Sequence, residues 1–274
     1  MISILLCATL LFHVSCAVYS GIPGIDSVYV FNLKNQPERH ARTNALLSAV
    51  GIHAHFVTAL DAVELRSKYK AHECQWNSTI SNLKFCQQGD ITSKILLEDL
   101  RNNKELSQQR IWKKMAQWQT FVYGWRCFRE SGLRTALFLE DDIDISLDAV
   151  NKLTRIVQSI PTPWHVIRIG NCYEKIGQLA IKPDIYISQS QWCMDAYILN
   201  SDTIGDLLKC MDQPTLEWPN PDSHMDKFCS KMPNWRSYSI FPRIVAQLDK
   251  FRVLNSTADF LMESIIEERK KLPK

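Results

Sequence analysis

Residues 135–146 read TALFLEDDIDIS and place four carboxylates within five positions, directly after a short apolar run. The four are Glu140, Asp141, Asp142 and Asp144. Like charges this close repel one another, and burial strengthens the repulsion, so a positive charge is expected among them. A hard divalent cation such as Mn²⁺ or Mg²⁺ prefers oxygen ligands and commonly takes one or two carboxylates, with water and phosphate oxygens in its other positions. The spacing therefore predicts a cation site that leaves room for a diphosphate.

The alternation of side chains along a strand suggests which carboxylates act together. If strand geometry continues beyond Leu139, one face carries Glu140, Asp142 and Asp144. Asp141 then points to the other face, and Asp144 is a candidate metal ligand on this ground alone. A metal that bridges a diphosphate neutralises the charge that develops as it departs, which makes a sugar nucleotide a good glycosyl donor. The alternative is a solvated acidic loop, since EF-hand, P-loop and nucleophile-elbow motifs are absent from the sequence.

Two strands with a helix between them are predicted at the start of the folded part. VYVFNL, residues 28–33, and HFVTAL, residues 55–60, are apolar runs of strand length. Between them, Pro37 suits the first position of a helix, and Gly51 suits the left-handed position after its end. The apolar face of this helix is predicted at Ala41, Ala45, Leu46 and Ala49. A strand, a helix and a strand with short connections form a βαβ unit with parallel strands.

A long helix is predicted directly before the acidic run. In IWKKMAQWQTFVYGWRCFRES the large apolar residues recur every three or four positions and form one stripe, which we interpret as core packing. The stripe consists of Ile111, Met115, Trp118, Phe121, Trp125 and Phe128. Gly132 ends this helix. After the acidic run, a helix capped by Ser146 is predicted through Val157, then a strand over 164–169, then a helix from Ser201.

The whole pattern predicts an α/β fold with an open mixed sheet and helices on both faces. The chain has 274 residues and is 46% hydrophobic, so it can bury one core. Its net charge is only +3 and its Lys and Arg residues are scattered, so the composition does not indicate a nucleic-acid partner. We predict a single domain over 26–257 with a polar insertion at 64–108, and a helical tail at 258–274. Ligands of such sheets bind beyond the carboxyl ends of strands, where Asn32 and Asp61 are expected beside the acidic run.

The first twenty residues have the apolar stretch and small residues of a secretory signal, with an uncleaved membrane anchor as the alternative. Two of the nine cysteines fall in this segment, and the odd number left predicts one that is unpaired or bridges to another chain. Cys74 and Cys86 flank a glycosylation sequon at Asn77, and a second sequon begins at Asn255. We expect a disulfide-bonded glycoprotein that is secreted or resides in the endoplasmic reticulum or Golgi lumen, and meets a membrane only if the anchor is retained.

Several stretches, taken in order, resemble glycosyltransferase family 25, the lipopolysaccharide-biosynthesis and procollagen galactosyltransferases. They are VYVFNL followed by Arg39 and Arg42, then FVTALDA, SGLRTALFLEDDI, DAYILNSDTIGDLL, PDSHMDKF and FPRIVAQ. The resemblance spans roughly residues 26–257, to which 64–108 contributes little. One difference is the segment KMAQWQTFVYGW, which lacks a Ser-His pair that family members often carry there.

The resemblance implies a GT-A-type fold and a manganese-dependent, inverting transfer of a sugar from a UDP-sugar, often UDP-galactose, to a hydroxyl group on a protein or a glycan. Carried over by position, Glu140 and Asp142 are the carboxylates that meet the metal and the diphosphate. The residues expected on the donor side are Asn32, Arg39, Asp141 and, toward the uridine ribose, Asp61.

Inverting transfer also needs an ionised carboxylate within hydrogen-bond reach of the acceptor hydroxyl. Asp226, in the MDKF stretch, is the first candidate for this general base, and Asp222 is the second. An ordinary capping or loop role is the alternative for both. Likewise, Arg39 could be a solvated helix residue and Asn32 a turn former.

Two other functions stay open. A catalytically silent relative would keep the fold and act in carbohydrate binding, protein binding or adhesion; the absent Ser-His pair favours it, and the intact carboxylate run opposes it. A metal-dependent phosphate-ester hydrolase usually binds two metals with histidine and carboxylate ligands from several strands. The sequence has no histidine at a comparable strand end.

Overall fold

The computed structural model describes residues 19–70, 105–170, 176–189, 193–211, 221–248 and 256–257. Several sequence predictions lie outside these residues: most of the secretory signal, the sequon flanked by Cys74 and Cys86, the asparagine of the second sequon, and the helical tail from 258 onward. The same holds for positions 71–104 of the predicted insertion.

The described part of the chain contains ten β-strands. In chain order they are β1 Ser27–Leu33, β2 His55–Ala59, β3 Thr135–Glu140, β4 Ile143–Ile145, β5 Val166–Arg168, β6 Ile176–Ile181, β7 Ile185–Ser188, β8 Ala196–Asn200, β9 Ser237–Ile240 and β10 Val245–Gln247. Eight form one sheet in the order β2-β1-β3-β8-β5-β9-β7-β6, and β4 pairs with β10 in a separate ladder. β1 is parallel to β2 and β3, β5 is parallel to β9, and the other neighbours are antiparallel. The predicted α/β class and mixed sheet are confirmed.

Helices cover both faces of this sheet. They are α1 Pro37–Ala49, α2 Ala62–Lys70, α3 Glu105–Ser131, α4 Ala149–Ser159, α5 Ser201–Met211 and α6 Pro221–Lys227, with a short 3₁₀ turn at Cys229–Lys231. Alternate strand residues point to opposite faces. Val30 belongs to one buried cluster with Leu47 of α1 and Leu153 of α4. Phe31, its neighbour on β1, belongs to the other cluster, with Trp125 of α3 and residues of α5.

The first helix lies where the sequence predicted it, and Leu46 is buried as expected, but the rest of the predicted face is not. Its buried residues are Thr43, Leu46 and Leu47, and the three alanines of the predicted face are all exposed: Ala41, Ala45 and Ala49. A polar contact selects the face, because the Thr43 hydroxyl donates to the Asp141 carbonyl oxygen at 2.6 Å. Gly51 has φ +77°, as predicted for the residue that ends this helix.

Helix α3 confirms the predicted apolar stripe over the residues whose side chains are described. Met115, Trp118, Phe121, Trp125 and Phe128 are all at most 5% exposed. A glycine in the same helix lets it approach the sheet: a Cβ at position 124 would lie 2.6 Å from the Phe31 ring. The long helix therefore packs directly over β1 and β3, next to the strand ends that carry the candidate site.

The predictions after the acidic run are mixed. The helix expected from Ser146 begins at Ala149 instead, because Ser146 pairs with Ser256 in a β-bridge and its hydroxyl donates to Asp148. Helix α5 begins at Ser201, as predicted. The segment 64–108, interpreted as an insertion or loop, has helical structure at both described ends, since α2 ends at Lys70 and α3 begins at Glu105.

The described residues include both disulfide-bonded cysteines and a free cysteine. Cys210 and Cys229 form a disulfide, and Cys193 is disulfide-bonded as well. Cys127 is the free cysteine of the described part. In that same part of the chain, no helix has both the length and the apolar composition needed to cross a membrane.

Candidate functional site

The acidic run lies where β3 ends, and it does not continue as a strand. β3 ends at Glu140, the chain bends at 141–142, and β4 then leaves to pair with β10. The expectation that strand alternation places Glu140, Asp142 and Asp144 on one face is therefore wrong. The physical reason is a change of pairing partner: Asp144 lies opposite Ala246 in the second ladder.

Asp141 is held by two side chains from the first βα unit. Asn32, at the end of β1, donates through Nδ2 to Asp141 Oδ2 at 2.7 Å. Arg39, in the first turn of α1, donates through Nη1 to Asp141 Oδ1 at 3.2 Å. Both carboxylate oxygens are thus engaged, in a residue that is only 8% exposed. Asn32 lies beside the acidic run as the sequence predicted. Arg39, expected on the donor side, is a positive charge of the kind expected among these carboxylates.

Asp142 has one engaged oxygen and one buried oxygen without a partner. Its Oδ2 accepts from Arg39 Nη1 at 3.4 Å and from Gln247 Nε2 at 3.0 Å. Its Oδ1 is buried and has no hydrogen-bond partner. A buried carboxylate oxygen left unpaired costs free energy unless something else binds it. A divalent cation is a fitting occupant, because carboxylate oxygens are its preferred ligands.

Glu140 is partly buried and surrounded by other carboxylates. Its Oε1 accepts from Gln117 Nε2 of α3 at 3.0 Å. Burial raises the pKa of Glu140 well above its ordinary value, and the charges of Asp195, Asp142 and Asp141 raise it further, in that order. An environment of this kind favours a proton or a bound cation on the carboxyl group.

Asp195 was not predicted from the sequence. It is 3% exposed and directly precedes β8, the antiparallel neighbour of β3. Its carbonyl oxygen accepts from the Glu140 amide at 2.9 Å, which fixes the two residues opposite each other. Gln117 and Gln247 were also missed. Nothing local in the sequence marks any of the three, because their position depends on which elements pack together.

Two predicted residues have contacts of their own. Asp144 is fully buried, and its Oδ1 accepts from the Ile145 amide at 3.0 Å. Asp61 caps helix α2, because its Oδ1 accepts from the Val63 amide at 2.7 Å and the Glu64 amide at 3.2 Å. The other oxygen of Asp61 accepts from Asn35 Nδ2 at 3.2 Å, in the turn that follows β1.

The two candidate bases lie one turn apart on α6, so their side chains share a helix face. Asp222 Oδ2 accepts from the Cys193 amide at 3.1 Å, and its Oδ1 accepts from the Ser223 amide at 2.7 Å. Asp222 therefore holds the segment that leads to Asp195. Asp226 is partly buried, and its carbonyl oxygen accepts from the Ser230 hydroxyl.

His224 lies on the buried side of α6, beside the Cys210–Cys229 disulfide. Its Nε2 is 3.2 Å from the Cys210 carbonyl oxygen, and its ring packs edge-on against Trp118. Burial lowers the pKa of His224. One ligand-type atom from each of these three residues falls within 4.8 Å of the others, but disulfide sulfurs are not the thiolates that bind metals. We interpret this group as a structural clamp on α6.

Neither family models nor curated proteins match this chain. The function must therefore be argued from the chemistry of the site.

Proposed function

We propose that this chain is a UDP-sugar-dependent glycosyltransferase with a GT-A-type fold, which moves a sugar, in the first place galactose, to a hydroxyl group on a protein or a glycan. The observation that carries the proposal is the buried, unpartnered Asp142 Oδ1 at the end of β3. Resemblance of the sequence to glycosyltransferase family 25 supports the choice of donor.

The position of the site within the sheet supports a nucleotide-type ligand. The chain passes from β1 to β2 on one side and later adds β3 on the other side of β1. Open α/β sheets bind ligands at such a reversal of strand order, beyond the carboxyl ends of the strands. Asn32 is the penultimate residue of β1 and Glu140 is the last residue of β3, so both border this crevice.

Asp142 and Glu140 are the residues that would hold the metal ion, Mn²⁺ or Mg²⁺. When bound, such an ion supplies positive charge that stabilises the departing diphosphate. Asn32 orients Asp141 through its hydrogen bond. Arg39 orients both Asp141 and Asp142. In this proposal Arg39 also faces the donor nucleotide, and Asp61 stays a candidate for its uridine-ribose side.

For the acceptor hydroxyl we propose Asp226 as the general base that takes its proton. Asp222 is the weaker candidate, because the Cys193 and Ser223 amides already occupy its two oxygens. The proposed setting is the secretory pathway or the cell exterior, and the Cys210–Cys229 disulfide agrees with an oxidising compartment.

The test is UDP release by the purified chain offered UDP-galactose or UDP-glucose, with and without Mn²⁺. Asp142→Asn is the informative variant, since it removes one charge at nearly constant shape. Asp184→Asn is its matched control, because Asp184 is a similarly buried aspartate that pairs with an arginine elsewhere. We expect Mn²⁺-dependent release that Asp142→Asn loses and Asp184→Asn keeps.

The opposite outcome is equally informative. If folded wild-type protein releases no UDP from either donor, the proposed transferase activity is wrong. A Mn²⁺-dependent rise in melting temperature under those conditions would favour the catalytically silent binding relative. If Mn²⁺ leaves the melting temperature unchanged as well, the proposed cation site is wrong.

A further inference from the structure

Three residues around helix α6 bring metal-ligand side chains together. Cys210 is the penultimate residue of α5, His224 lies on α6, and Cys229 begins the 3₁₀ turn that follows α6. One ring nitrogen of His224 and the two sulfur atoms all lie within 4.8 Å of one another. The two sulfurs are joined in a disulfide, which has no thiolate to offer a metal ion. Reduction of this one bond turns the group into two thiol ligands and one imidazole ligand.

A second observation is a buried nitrogen of His224 that has no partner. His224 Nε2 is 3.2 Å from the Cys210 carbonyl oxygen, so a neutral ring donates its N–H there and carries its lone pair on Nδ1. Nδ1 is buried without a hydrogen-bond partner, in a residue that is only 2% exposed. A buried acceptor of this kind costs free energy unless a donor or a metal ion binds it. Metal-binding histidines commonly have this arrangement, with the other ring nitrogen donating to a backbone carbonyl.

The positions of the two cysteines suit a metal ion as well as a disulfide. Their Cα atoms are 5.7 Å apart. Two thiolates on one tetrahedral zinc ion lie about 3.8 Å apart, because each Zn–S bond is about 2.3 Å long. Rotation of the side chains is enough to reach that separation. Cys229 is fully buried and Cys210 is partly exposed, so a reductant, a metal ion and a water molecule can all approach from the side of Cys210.

We propose that Cys210, His224 and Cys229 bind one zinc ion when the chain is reduced, and that the disulfide replaces this site when the chain is oxidised. The reductant is a thiol: two reductant thiols become one reductant disulfide, and Cys210 and Cys229 become thiols by taking up the two electrons and two protons. Zinc then binds both sulfurs as thiolates, with release of two protons, and takes the free lone pair of His224. Water fills the fourth position.

Both states fasten α6 to the end of α5. A helix as short as Pro221–Lys227 is not stable alone, so its position depends on such attachments. The same helix carries the two candidate bases, and one of them, Asp222, accepts from the Cys193 amide. Zinc therefore keeps this helix in place in a chain whose disulfide is open. The inference goes beyond the proposed function and does not depend on it.

The test compares zinc binding by the oxidised and the reduced full chain. A phosphine reductant opens the disulfide, and competition with a chromophoric chelator gives the zinc affinity. We expect no tight zinc binding by the oxidised chain and one tightly bound zinc ion in the reduced chain. Calorimetry of the reduced chain should show release of about two protons per zinc ion. Co²⁺ in place of zinc should give charge-transfer bands of a site with two thiolate ligands.

Reduction also frees other cysteines, so variants must identify the ligands. His224→Phe keeps a ring against Trp118 but has no nitrogen, and it should weaken zinc binding by on the order of a hundredfold. His224→Gln is the second variant and should weaken zinc binding as well. Cys229→Ala should halve the intensity of the Co²⁺ charge-transfer bands. Cys127→Ser is the matched control, because Cys127 is a free cysteine outside the group, and it should leave zinc affinity unchanged. A cooperative melting transition of each oxidised variant confirms that it is folded.

Four outcomes would overturn the site. They are equal zinc binding by the oxidised chain, no tight zinc binding by the reduced wild type, unchanged zinc affinity in a folded His224 variant, and Co²⁺ bands that Cys229→Ala does not change. The last two would mean that zinc binds only to other freed thiols. UDP release is measured on the oxidised chain, so failure of this inference leaves the transferase proposal standing, and failure of the transferase proposal leaves the zinc site standing.

Discussion

Two arginines meet aspartates in this protein, and they do so differently. Arg39 and Arg155 have the same side-chain exposure, 40%, and their aspartate partners are 11–15% exposed. Arg155 of α4 faces Asp184 alone, with one nitrogen on each carboxylate oxygen. Arg39 uses one nitrogen, Nη1, for two carboxylates, at 3.2 Å from Asp141 and 3.4 Å from Asp142. The two arginines therefore do not differ in exposure. They differ in the number of carboxylates that each contacts, which is one for Arg155 and two for Arg39.

The difference separates a structural ion pair from a candidate site. A two-pronged arginine–carboxylate pair satisfies both partners and fixes their geometry. At Arg39 one guanidinium is shared, Glu140 and Asp195 add further carboxyl groups, and Asp142 Oδ1 is left without a partner. Excess negative charge of this kind is unfavourable for folding alone, which makes it informative about ligand binding. Four expected effects test this contrast.

The largest effect is expected on turnover. Arg39→Ala removes the side chain that orients Asp141 and Asp142, and small displacements of such groups cost on the order of a hundredfold in rate. Arg155→Ala should leave the rate within about twofold, because no site residue depends on it. Initial rates of UDP release at saturating Mn²⁺ measure both. Equal losses in the two variants would mean that the contrast reflects stability only.

The second effect is expected on thermal stability and its rescue by metal. Without metal, Arg39→Ala should melt several degrees lower than wild type, because two buried carboxylates lose their positive partner. Added Mn²⁺ should recover much of that loss by supplying charge to the same carboxylates. Arg155→Ala should show no such recovery. Differential scanning calorimetry with and without Mn²⁺ decides, and a recovery shared by both variants would count against a local cation site.

The third effect is a pH dependence at Glu140. Its folded-state pKa is raised, first by burial and then by Asp195 and Asp142. This group therefore contributes stability that is fully present below the ordinary glutamate pKa and is lost as pH rises through the raised value. In metal-free buffer, Glu140→Gln should become progressively more stable than wild type as pH increases over that range. Melting curves from about pH 4 to pH 8 test this, with Asp184→Asn as the comparison; parallel curves for wild type and Glu140→Gln would contradict it.

The smallest effect is the coupling of the structural pair. Asp184 raises the pKa of Arg155 through their hydrogen bond, yet the arginine is well exposed and solvent screens the interaction. A double-mutant cycle with Arg155→Ala and Asp184→Asn should give about 0.2–1 kcal/mol, falling as salt is added. Chemical denaturation at low and high salt provides the values. A larger coupling energy that does not change with salt would show that solvent does not screen this ion pair, although its arginine is exposed.

Local patterns in the sequence predicted the elements that border the site. The βαβ unit, the stripe from Met115 to Phe128 and the strand before Glu140 were recognisable because each depends on periodicity within a single element. The position of Asn32 beside the acidic run followed from the rule that strand ends converge at one edge of an α/β sheet. The contact of Arg39 with Asp141 did not follow from that rule, because Arg39 lies in α1 and reaches Asp141 only through the way that helix packs. The face of α1 was mispredicted because Thr43 is buried by a hydrogen bond to Asp141 rather than by its own hydrophobicity.

Taken by itself, the sequence determined the α/β class and the position of the acidic run at the end of an apolar strand. Which carboxylates lie close to one another follows from the tertiary fold instead. The run bends after Glu140 because β4 pairs with β10, and this separates Asp144 from the face where it was expected. Asp195 faces Glu140 because β8 inserts antiparallel between β3 and β5. Strand order and register depend on packing across the whole sheet, and no local sequence pattern specifies them.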